Sequence, residues 1–415
     1  MEISFPFMVR SAHHDNMLAH IDADAFFASA IVRKNPHLKG RPLLALGMGG
    51  GCVIAASYEA KATGVKTGMR LGDTLKLCPK AVRMSADFHE AARASQEIEA
   101  ILRTLCPLIE QMSVDEWYLD LRTLPGGLPD DAIRWACNVQ RNVEQSTGLT
   151  VSIGVGPSKI LAKMAGEYKK PAGVIIIGQS IHLKEFLRDR PAAAIPGIGR
   201  RRVLHTDAHG WNTAWDIAQA PAEELKRLFG KSGVELKEEL LGNSVYPVTT
   251  EEAPPQSVSR CRSFRSTKDK DYLWAQLLKH LEYVVLKMRR HQLSCRGISV
   301  WLRDGAYEGE GANASLPQPS RTTDALLPFV RSCFERSHDP RMTYTQVALA
   351  LWHLVPFAAT QYSLFRDPAL TERDEAIQTS LDLLHQRFGR SSITRGSALA
   401  VKTGTAVTMD MPVYD

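Results

Sequence analysis

The sequence predicts a mixed α/β fold of the α+β kind, divided into several domains. Its 415 residues exceed what a single hydrophobic core usually serves. Short apolar runs typical of strands alternate with segments of helical period between residues 17 and 180, and this alternation returns beyond a Pro- and Glu-rich stretch at 247 to 256. The interval between them is typical of short helices. We therefore expect two α/β regions separated by a helical one.

Composition narrows the class of protein. Hydrophobic residues make up 44% of the chain and charged residues 23%, which is typical of a globular protein. The seven cysteines are scattered and none forms a CxxC pair, which argues against a disulfide framework or structural zinc and favours a reducing cytoplasm. No apolar stretch is long enough to span a membrane, and residues 1 to 16 are expected to be an extension without a signal pattern.

Positive charge is concentrated in one part of the chain. The net charge is +6, and residues 256 to 353 alone hold 15 Lys and Arg against 9 Asp and Glu. This segment therefore carries an excess equal to that of the whole chain. Such a basic region predicts binding to a polyanion such as nucleic acid.

The predicted elements follow in order. In the first region, strands are expected at 17–22, 41–46, 51–57, 114–121, 151–156 and 173–178, and helices at 87–106, 131–147 and 160–169. In the second, strands are expected at 257–265, 296–303 and 345–354, helices at 271–291 and 325–336, and a Gly-rich loop between 303 and 325. This order resembles a compact β-α-β-β-α-β unit, and one further amphipathic helix is expected at 371–388.

Two groups of carboxylates interrupt predicted strands. IDADAFF (21 to 27) places Asp22 and Asp24 at the end of an apolar run, and SVDEWYLDL (113 to 121) places Asp115 beside Glu116. Because neighbouring strand residues face opposite sides, Asp115 and Glu116 can serve one site only where the chain bends, as in a tight hairpin. A turn, a helix cap or ordinary ion pairs are the alternative interpretations.

Three carboxylates at the ends of adjacent strands are the hard oxygen ligands that two Mg²⁺ ions require. Groups suited to a nucleoside triphosphate occur nearby, although lysines on a surface helix are usually only solvated. They are Tyr58 and Lys61 in SYEAK, and Lys159, Lys163, Lys169 and Lys170 in PSKILAKMAGEYKKPAG.

Together these motifs resemble those of the Y-family (translesion) DNA polymerases, of the bacterial DNA polymerase IV type. IDADAFFASA is similar to that family's IDxDxFFAxVE, SYEAKATGVKTGM to xYEARxxGVxxGM, SVDEWYLDL to SIDExYLD, and SIGVGPSKILAKMAGEYKKPAGV to SxGIGxNKxLAKxASxxxKPxG. The resemblance implies a multidomain right-hand polymerase. Its parts would be a ferredoxin-like palm (17–25 and 87–180), fingers (26–86), a helix-hairpin-helix thumb (181–246), a linker (247–256), an α/β little finger (257–357) and a tail (358–415).

The resemblance also implies the metal ligands. Asp22 and Asp115 would bind two Mg²⁺ ions, for which Mn²⁺ could substitute, and the backbone carbonyl of Ala23 would be a further ligand. Glu116 would bind the ion near the primer 3′-hydroxyl. Asp22, Asp115 and Glu116 are thus the expected catalytic residues.

Nucleotide-binding residues follow in the same way. Phe26 and Phe27 are both expected to line the nucleotide site, and the alternative role for either ring is plain core packing. Phe27 falls at the family's steric gate, where an aromatic ring excludes a ribonucleotide 2′-hydroxyl. Tyr58, Lys61 and Lys170 would hold the β- and γ-phosphates.

Three positions depart from the family pattern. Lys61 replaces an Arg, Ile31 stands where Glu is usual, and Trp117 replaces a small residue after the catalytic pair. A lysine offers a point charge in place of a bidentate fork, which would loosen triphosphate alignment. Trp117 is expected to need space beside the active site.

Candidate DNA contacts lie in two places. The backbone amides of Gly197 and Gly199 in PGIG, with Arg200 behind them, would contact a phosphate, although an isolated PGIG is more often an ordinary turn. Arg260 and Arg262 alternate in SVSRCRSFR and would share one strand face along a duplex backbone.

QYSLF (361 to 365) resembles the bacterial sliding-clamp-binding pentapeptide of QLxLF type. Gln361, Leu364 and Phe365 would be its anchors, with Tyr362 in place of a leucine. The alternative is a loop that leads into the last helix.

The sequence thus predicts a low-fidelity, template-directed DNA polymerase for translesion synthesis, which adds dNMP from dNTPs to a primer 3′ end without proofreading. Primer–template DNA and a sliding clamp are the expected partners, and a monomer is the expected state. Two other classes stay open. A non-catalytic, clamp-associated accessory of the same fold would not need the carboxylates, and a nucleotide cyclase would need neither PGIG nor a separate basic domain.

Overall fold

The computed structural model describes residues 17–47, 50–251, 253–306, 308–357, 368–389 and 392–399. The described residues form two compact units, the first of those up to Glu251 and the second of those that follow it. Among the described residues, no helix combines the length and the apolar character needed to cross a membrane.

The first unit contains strands and helices in alternation, as predicted. Its strands are β1 (Leu18–Ala23), β2 (Leu43–Leu46), β3 (Val53–Ala56), β4 (Val82–Ser85), β5 (Ile109–Gln111), β6 (Glu116–Asp120), β7 (Val151–Gly156) and β8 (Val174–Ile176). Its helices are α1 (Phe26–Lys34), α2 (Tyr58–Lys61), α3 (Leu71–Leu77), α4 (Phe88–Leu105), α5 (Ala132–Thr147), α6 (Lys159–Tyr168), α7 (Leu183–Asp189), α8 (Arg200–Ala208), α9 (Ala214–Gln219), α10 (Ala222–Phe229) and α11 (Lys231–Leu240).

A sheet of order β5-β6-β1-β7-β8 positions the carboxylates. β1 lies between β6 and β7 and is antiparallel to both. One face of β1 and β6, with Ile21 and Trp117, packs on α4 and α5 in a buried apolar core. Helix α6 packs on the other side, directly against β7. A Cβ at Gly154 of β7 would lie 2.0 Å from the backbone nitrogen of Gly166, so glycine is needed for this close approach.

Local sequence signals determine where the long helices begin. The side chains of Asp87, Asp131 and Ser158 each accept a hydrogen bond from a backbone N–H of the first turn, which caps α4, α5 and α6. Gly148 ends α5 with a φ of 70°, a left-handed conformation that glycine adopts without strain.

Two smaller parts complete the first unit. A sheet of order β3-β2-β4 carries α2 next to it and has its own core, with Leu44 and Val53. Helices α7 to α11 pack around a separate core that contains Phe186 and Leu225, as expected of the helical interval.

The second unit has the predicted β-α-β-β-α-β order. Its elements are β9 (Ser257–Thr267), α12 (Lys270–Arg290), β10 (Leu293–Arg303), β11 (Gly309–Ser320), α13 (Thr323–Ser337), β12 (Tyr344–Pro356) and α14 (Pro368–Phe388). The sheet has the order β11-β10-β12-β9. The expectation of a Gly-rich loop was wrong for 309–320, because these residues form β11 at the edge of the sheet. Glycine and proline are tolerated there because only one side of an edge strand must pair.

The predicted tail helix is α14, and it packs on α12 through charged groups. Arg289 of α12 donates from Nε to Asp382 Oδ2 at 2.6 Å and from Nη1 to Glu375 Oε2 at 2.8 Å. The tail therefore contributes a docked helix to the second unit.

Candidate active site

The carboxylates converge at one end of β1 and β6. Asp22 lies directly opposite Glu116 in this antiparallel pair, so both side chains face the same side of the sheet. Asp115 lies one residue before β6, and its carbonyl accepts a hydrogen bond of 2.9 Å from Ala23 N. Strands β5 and β6 form the expected hairpin, which brings Asp115 and Glu116 to the same end of the sheet.

Polar contacts hold each carboxylate in place. Ser113 Oγ donates to Asp115 Oδ1 at 2.6 Å. Lys170 Nζ lies 2.5 Å from Asp22 Oδ1, and Lys163 Nζ donates to Glu116 Oε1. The lysines thus come from α6 and from the loop that follows it.

The electrostatics of this cluster disfavour negative charge on two of its three carboxylates. Burial raises the pKa of Asp22, against the effect of Lys170, and the charges of Asp115 and Glu116 raise it further. Burial also raises the pKa of Asp115. Burial acts in the same direction on Glu116, but Lys163 outweighs it, and the pKa of Glu116 lies below its ordinary value. Crowded carboxylates of this kind are a donor set that fits a divalent cation.

His20 belongs to this cluster although the sequence reasoning did not include it. It precedes Asp22 by two positions on β1, is fully buried, and places Nε2 3.9 Å from Glu116 Oε1. Potential ligand atoms of His20, Asp22 and Glu116 all lie within 4.8 Å of one another. Burial lowers the pKa of His20 to about 3, so the ring is neutral at pH 7. The strand period of two was the signal that could have identified it.

The two aromatics after the strand have different surroundings. Phe26 is buried in the core beneath the sheet, whereas Phe27 is half-buried. The Phe27 ring makes edge contacts with Phe26 and Phe88, at centroid distances of 5.6 and 5.5 Å. Phe27 is thus the more accessible of the two rings.

The predicted phosphate-binding groups lie close to the carboxylates. Tyr58, the first residue of α2, donates its hydroxyl to Asp24 Oδ1 at 3.2 Å, and Lys61 Nζ lies 4.5 Å from the centre of the Tyr58 ring. Burial lowers the pKa of Lys61, and the charge of Lys170 adds to this. Lys159 forms an ion pair with a different carboxylate, since its Nζ lies 2.6 Å from Glu110 Oε2.

The structure explains two of the departures from the family pattern. Trp117 is fully buried on the sheet face opposite to Glu116, in the apolar core with α4 and α5. The expectation that it needs space beside the active site was therefore wrong, because adjacent strand residues point to opposite faces. Ile31 is buried in a second apolar cluster, where a glutamate would lack solvent.

The PGIG segment forms a turn before α8. Gly197 has a φ of 93°, Gly199 is the N-terminal cap, and Arg200 is exposed. Arg202 donates to the carbonyl of Gly197 at 3.2 Å and to Ser232 Oγ at 3.1 Å, which fixes the turn against α11.

Arg260 and Arg262 share one face of β9, as predicted. Val258 and Phe264 lie on the same face: Val258 is part of the apolar core that β9 shares with α12, and Phe264 packs against that core. The Arg260 guanidinium lies 4.1 Å from the centre of the Tyr283 ring of that helix. QYSLF, with Gln361, Leu364 and Phe365, lies outside the described residues.

A hairpin and a neighbouring strand bring three carboxylates together, with lysines and an aromatic ring beside them. This arrangement fits the needs of a metal-dependent nucleotidyl transfer. Residues 21–167 match the impB/mucB/samB family, and residues 255–364 match the C-terminal domain of that family. The chain belongs to this family, the Y-family DNA polymerases.

Individual relatives agree with this assignment. The DNA polymerase IV of Caulobacter vibrioides is 30% identical over 399 residues, which cover 94% of this chain and 97% of the relative. That of Methanoculleus marisnigri is 34% identical over 308 residues, covering 73% and 84%. A solved chimera of the Y-family polymerases Dbh and Dpo4 has a TM-score of 0.70 at 24% identity, covering 82% of this chain and 99% of the chimera.

The protein is accordingly a DNA-directed DNA polymerase of the translesion class, and polymerases of this family use divalent metal ions. Family membership decides against the nucleotide cyclase. The non-catalytic accessory of the same fold is disfavoured by the presence of Asp22, Asp115 and Glu116, which such a protein would not need, and by relatives that are DNA polymerases.

Proposed function

We propose that this polymerase adds dNMP to a primer 3′ end by two-metal-ion catalysis, with Asp22, Asp115 and Glu116 as the catalytic carboxylates. The observation that carries the proposal is the position of Asp22 opposite Glu116, with Asp115 brought to the same end of the sheet by the hairpin.

The metal-binding roles are assigned to four residues. Asp22, Asp115 and the carbonyl of Ala23 hold two Mg²⁺ ions, or Mn²⁺ in their place, and Glu116 holds the ion near the primer hydroxyl. When bound, the ions lower the pKa of that hydroxyl and neutralise charge on the leaving pyrophosphate. Support for this comes from the lysine ammonium groups that pair with Asp22 and Glu116 at this end of the sheet.

Tyr58, Lys61 and Lys170 hold the β- and γ-phosphates of the incoming dNTP. The positions of these three residues support this role, since Lys170 contacts Asp22 and Lys61 lies over the Tyr58 ring. Phe27 is the steric gate below the deoxyribose, and Phe26 anchors the helix behind it. Low fidelity without proofreading is expected of a translesion polymerase of this family.

Primer–template DNA is held by the amides of Gly197 and Gly199 with Arg200. Arg260 and Arg262, which were expected to lie along the duplex, are left out of this surface, because their face of β9 packs on α12 and Arg260 lies against the Tyr283 ring. Gln361, Leu364 and Phe365 would bind a sliding clamp, and the polymerase would act as a monomer. All seven cysteines are free thiols, which supports a reducing compartment such as the cytoplasm.

Primer extension tests the catalytic assignment. Wild-type protein with Mg²⁺, dNTPs and a primed template should extend the primer distributively, and Asp115→Ala should abolish extension. Asp73→Ala, which removes an exposed carboxylate of the same unit, is the matched control and should extend normally. Normal extension by Asp115→Ala would refute the assignment.

Sugar selection tests the steric gate. Phe27→Ala should incorporate rNTPs about a hundredfold more readily relative to dNTPs, because the clash with the 2′-hydroxyl is removed. Phe26→Leu, a change in the buried neighbour, should leave discrimination intact. Unchanged sugar discrimination in Phe27→Ala would sink the role of Phe27.

A further inference from the structure

Asp24, the second carboxylate of IDADAFF, has a set of partners distinct from those of Asp22. It lies just after β1 and is 2% exposed. Its Oδ1 accepts hydrogen bonds from Ser152 Oγ at 2.7 Å and from the Tyr58 hydroxyl at 3.2 Å, and its Oδ2 accepts one from Ala172 N at 2.8 Å. Both oxygens of the Asp24 carboxylate therefore accept hydrogen bonds.

These partners lie on three different elements. Ser152 is in β7, Tyr58 begins α2, and Ala172 is in the loop between α6 and β8 that also carries Lys170. Ala172 has a φ of 51°, which is uncommon for a residue with a side chain, so outside contacts are needed to keep this loop conformation. The contact from Asp24 to its N–H is one of them.

We propose that Asp24 is a positioning residue, which holds Tyr58 and the Lys170 loop in the arrangement that receives the triphosphate. The inference rests on the proposed role of Tyr58 and Lys170 at the phosphates. Hydrogen bonds to a buried carboxylate are charge-assisted and therefore strong, and each fixes a group before the nucleotide arrives. Because Asp24 follows Asp22 by two residues, the triphosphate-binding groups and the metal ligands share one rigid frame.

A simpler role for Asp24 is to stabilise the turn between β1 and α1. Its main chain already does this, because Asp24 N donates to Thr150 O at 3.0 Å and Asp24 O accepts from Ser29 Oγ at 2.6 Å. Ser29→Ala removes a turn contact and leaves the carboxylate in place. It is therefore the matched control for Asp24→Ala.

The experiment measures dNTP binding without chemistry. The full-length protein is bound to a primer–template whose primer ends in a dideoxynucleotide, and the dissociation constant of the correct dNTP is measured with Mg²⁺. Asp24→Ala should weaken dNTP binding about tenfold, in line with the loss of two or three buried hydrogen bonds, while Ser29→Ala stays within twofold of wild type.

Asp24→Asn should restore binding to within about threefold of wild type. Its amide oxygen can accept from Ala172 N–H, while its NH₂ group donates to the hydroxyl oxygens of Tyr58 and Ser152. In steady-state extension, Asp24→Ala should raise KM for dNTP more than it lowers kcat, because the metal ligands are untouched.

The outcomes separate this inference from the proposed function. If Tyr58→Phe and Lys170→Ala weaken dNTP binding but Asp24→Ala does not, the inference is overturned and the proposed function stands. Equal weakening by Asp24→Ala and Ser29→Ala would also overturn it, because the turn would then be the cause. Should Asp24→Ala not fold, Asp24→Ser keeps a polar group there but is too short to reach both Tyr58 and Ala172. It should weaken binding equally, and wild-type affinity in Asp24→Ser would refute the inference.

Discussion

Each of the two units contains a cluster of charged side chains, and the clusters differ in whether their surroundings favour the charged forms. At the active site of the first, three carboxylates share two lysine partners, and the pKa values of Asp22 and Asp115 are raised by burial. In the second, Arg289 donates to Asp382, Glu375 and Thr379, at 2.6, 2.8 and 3.0 Å. Burial lowers the pKa of Arg289, but its acidic partners outweigh this and raise it overall.

The two clusters differ in whether the charges of the chain itself balance one another. Around Arg289 the charged forms satisfy one another, so the cluster attaches α14 to α12. Around Asp22 and Asp115 burial disfavours the charged forms, and a bound cation would offset this cost. Active sites commonly depart from the most stable arrangement in this way.

The largest expected difference between the clusters appears when a glutamate in each is changed to glutamine. Glu116→Gln should lower kcat for primer extension by about a hundredfold or more, because a neutral amide is a poor metal ligand. Glu375→Gln should leave kcat within twofold of wild type. Steady-state extension measures both, and comparable losses in the two variants would contradict the division of roles.

Next in size is the loss of the central cation in the second unit. Arg289→Leu leaves Glu375 and Asp382 without their shared partner and should release α14, at a cost of about 2–3 kcal/mol. Hydrogen exchange of the α14 amides measures this. Arg290→Leu, at an exposed neighbouring position, is the control and should leave exchange unchanged.

Acid should weaken the second unit through a buried histidine. Burial, with the nearby charge of Arg260, lowers the pKa of His280 to about 3, against 6.5 when unfolded. The unfolded chain therefore binds more protons below pH 6.5, so stability falls as pH falls, by about 2 kcal/mol at pH 5.

His280→Leu should flatten this dependence. The measurement is hydrogen exchange of the slowest α12 amides at pH 5 and pH 7, corrected for the intrinsic rate. An equal pH dependence in wild type and His280→Leu would show that another group is responsible.

The smallest effect concerns stability at the active site. In metal-free protein, Asp115→Asn should raise the free energy of unfolding, because it removes a charge that burial disfavours. Asp382→Asn should instead lower it, because Arg289 loses a charged partner. Denaturant unfolding with a chelator present compares them, and destabilisation by both would remove the contrast between the clusters.

Much of the fold followed from local patterns. A short apolar run predicted β1, and alternating apolar residues predicted β6. The adjacent carboxylates required the hairpin that β5 and β6 form. The strand β11 was missed because its glycines and prolines resemble a loop, and only pairing with β10 makes it a strand. Arg260 and Arg262 share a face as predicted, but the alternation alone did not show that this face packs on α12.

The sequence by itself determined most of the order of elements and the carboxylates at the strand ends, because helical period, strand period and turn residues act over a few positions. It also determined the family to which the chain belongs, because the family's motifs are short and local. Only the tertiary structure decided which partner each charge has. Asp24 receives hydrogen bonds from Ser152 and Ala172, which are 128 and 148 positions away, and His20 reaches Glu116 only because β1 pairs with β6. Such contacts depend on how separate elements pack, and no local period encodes them.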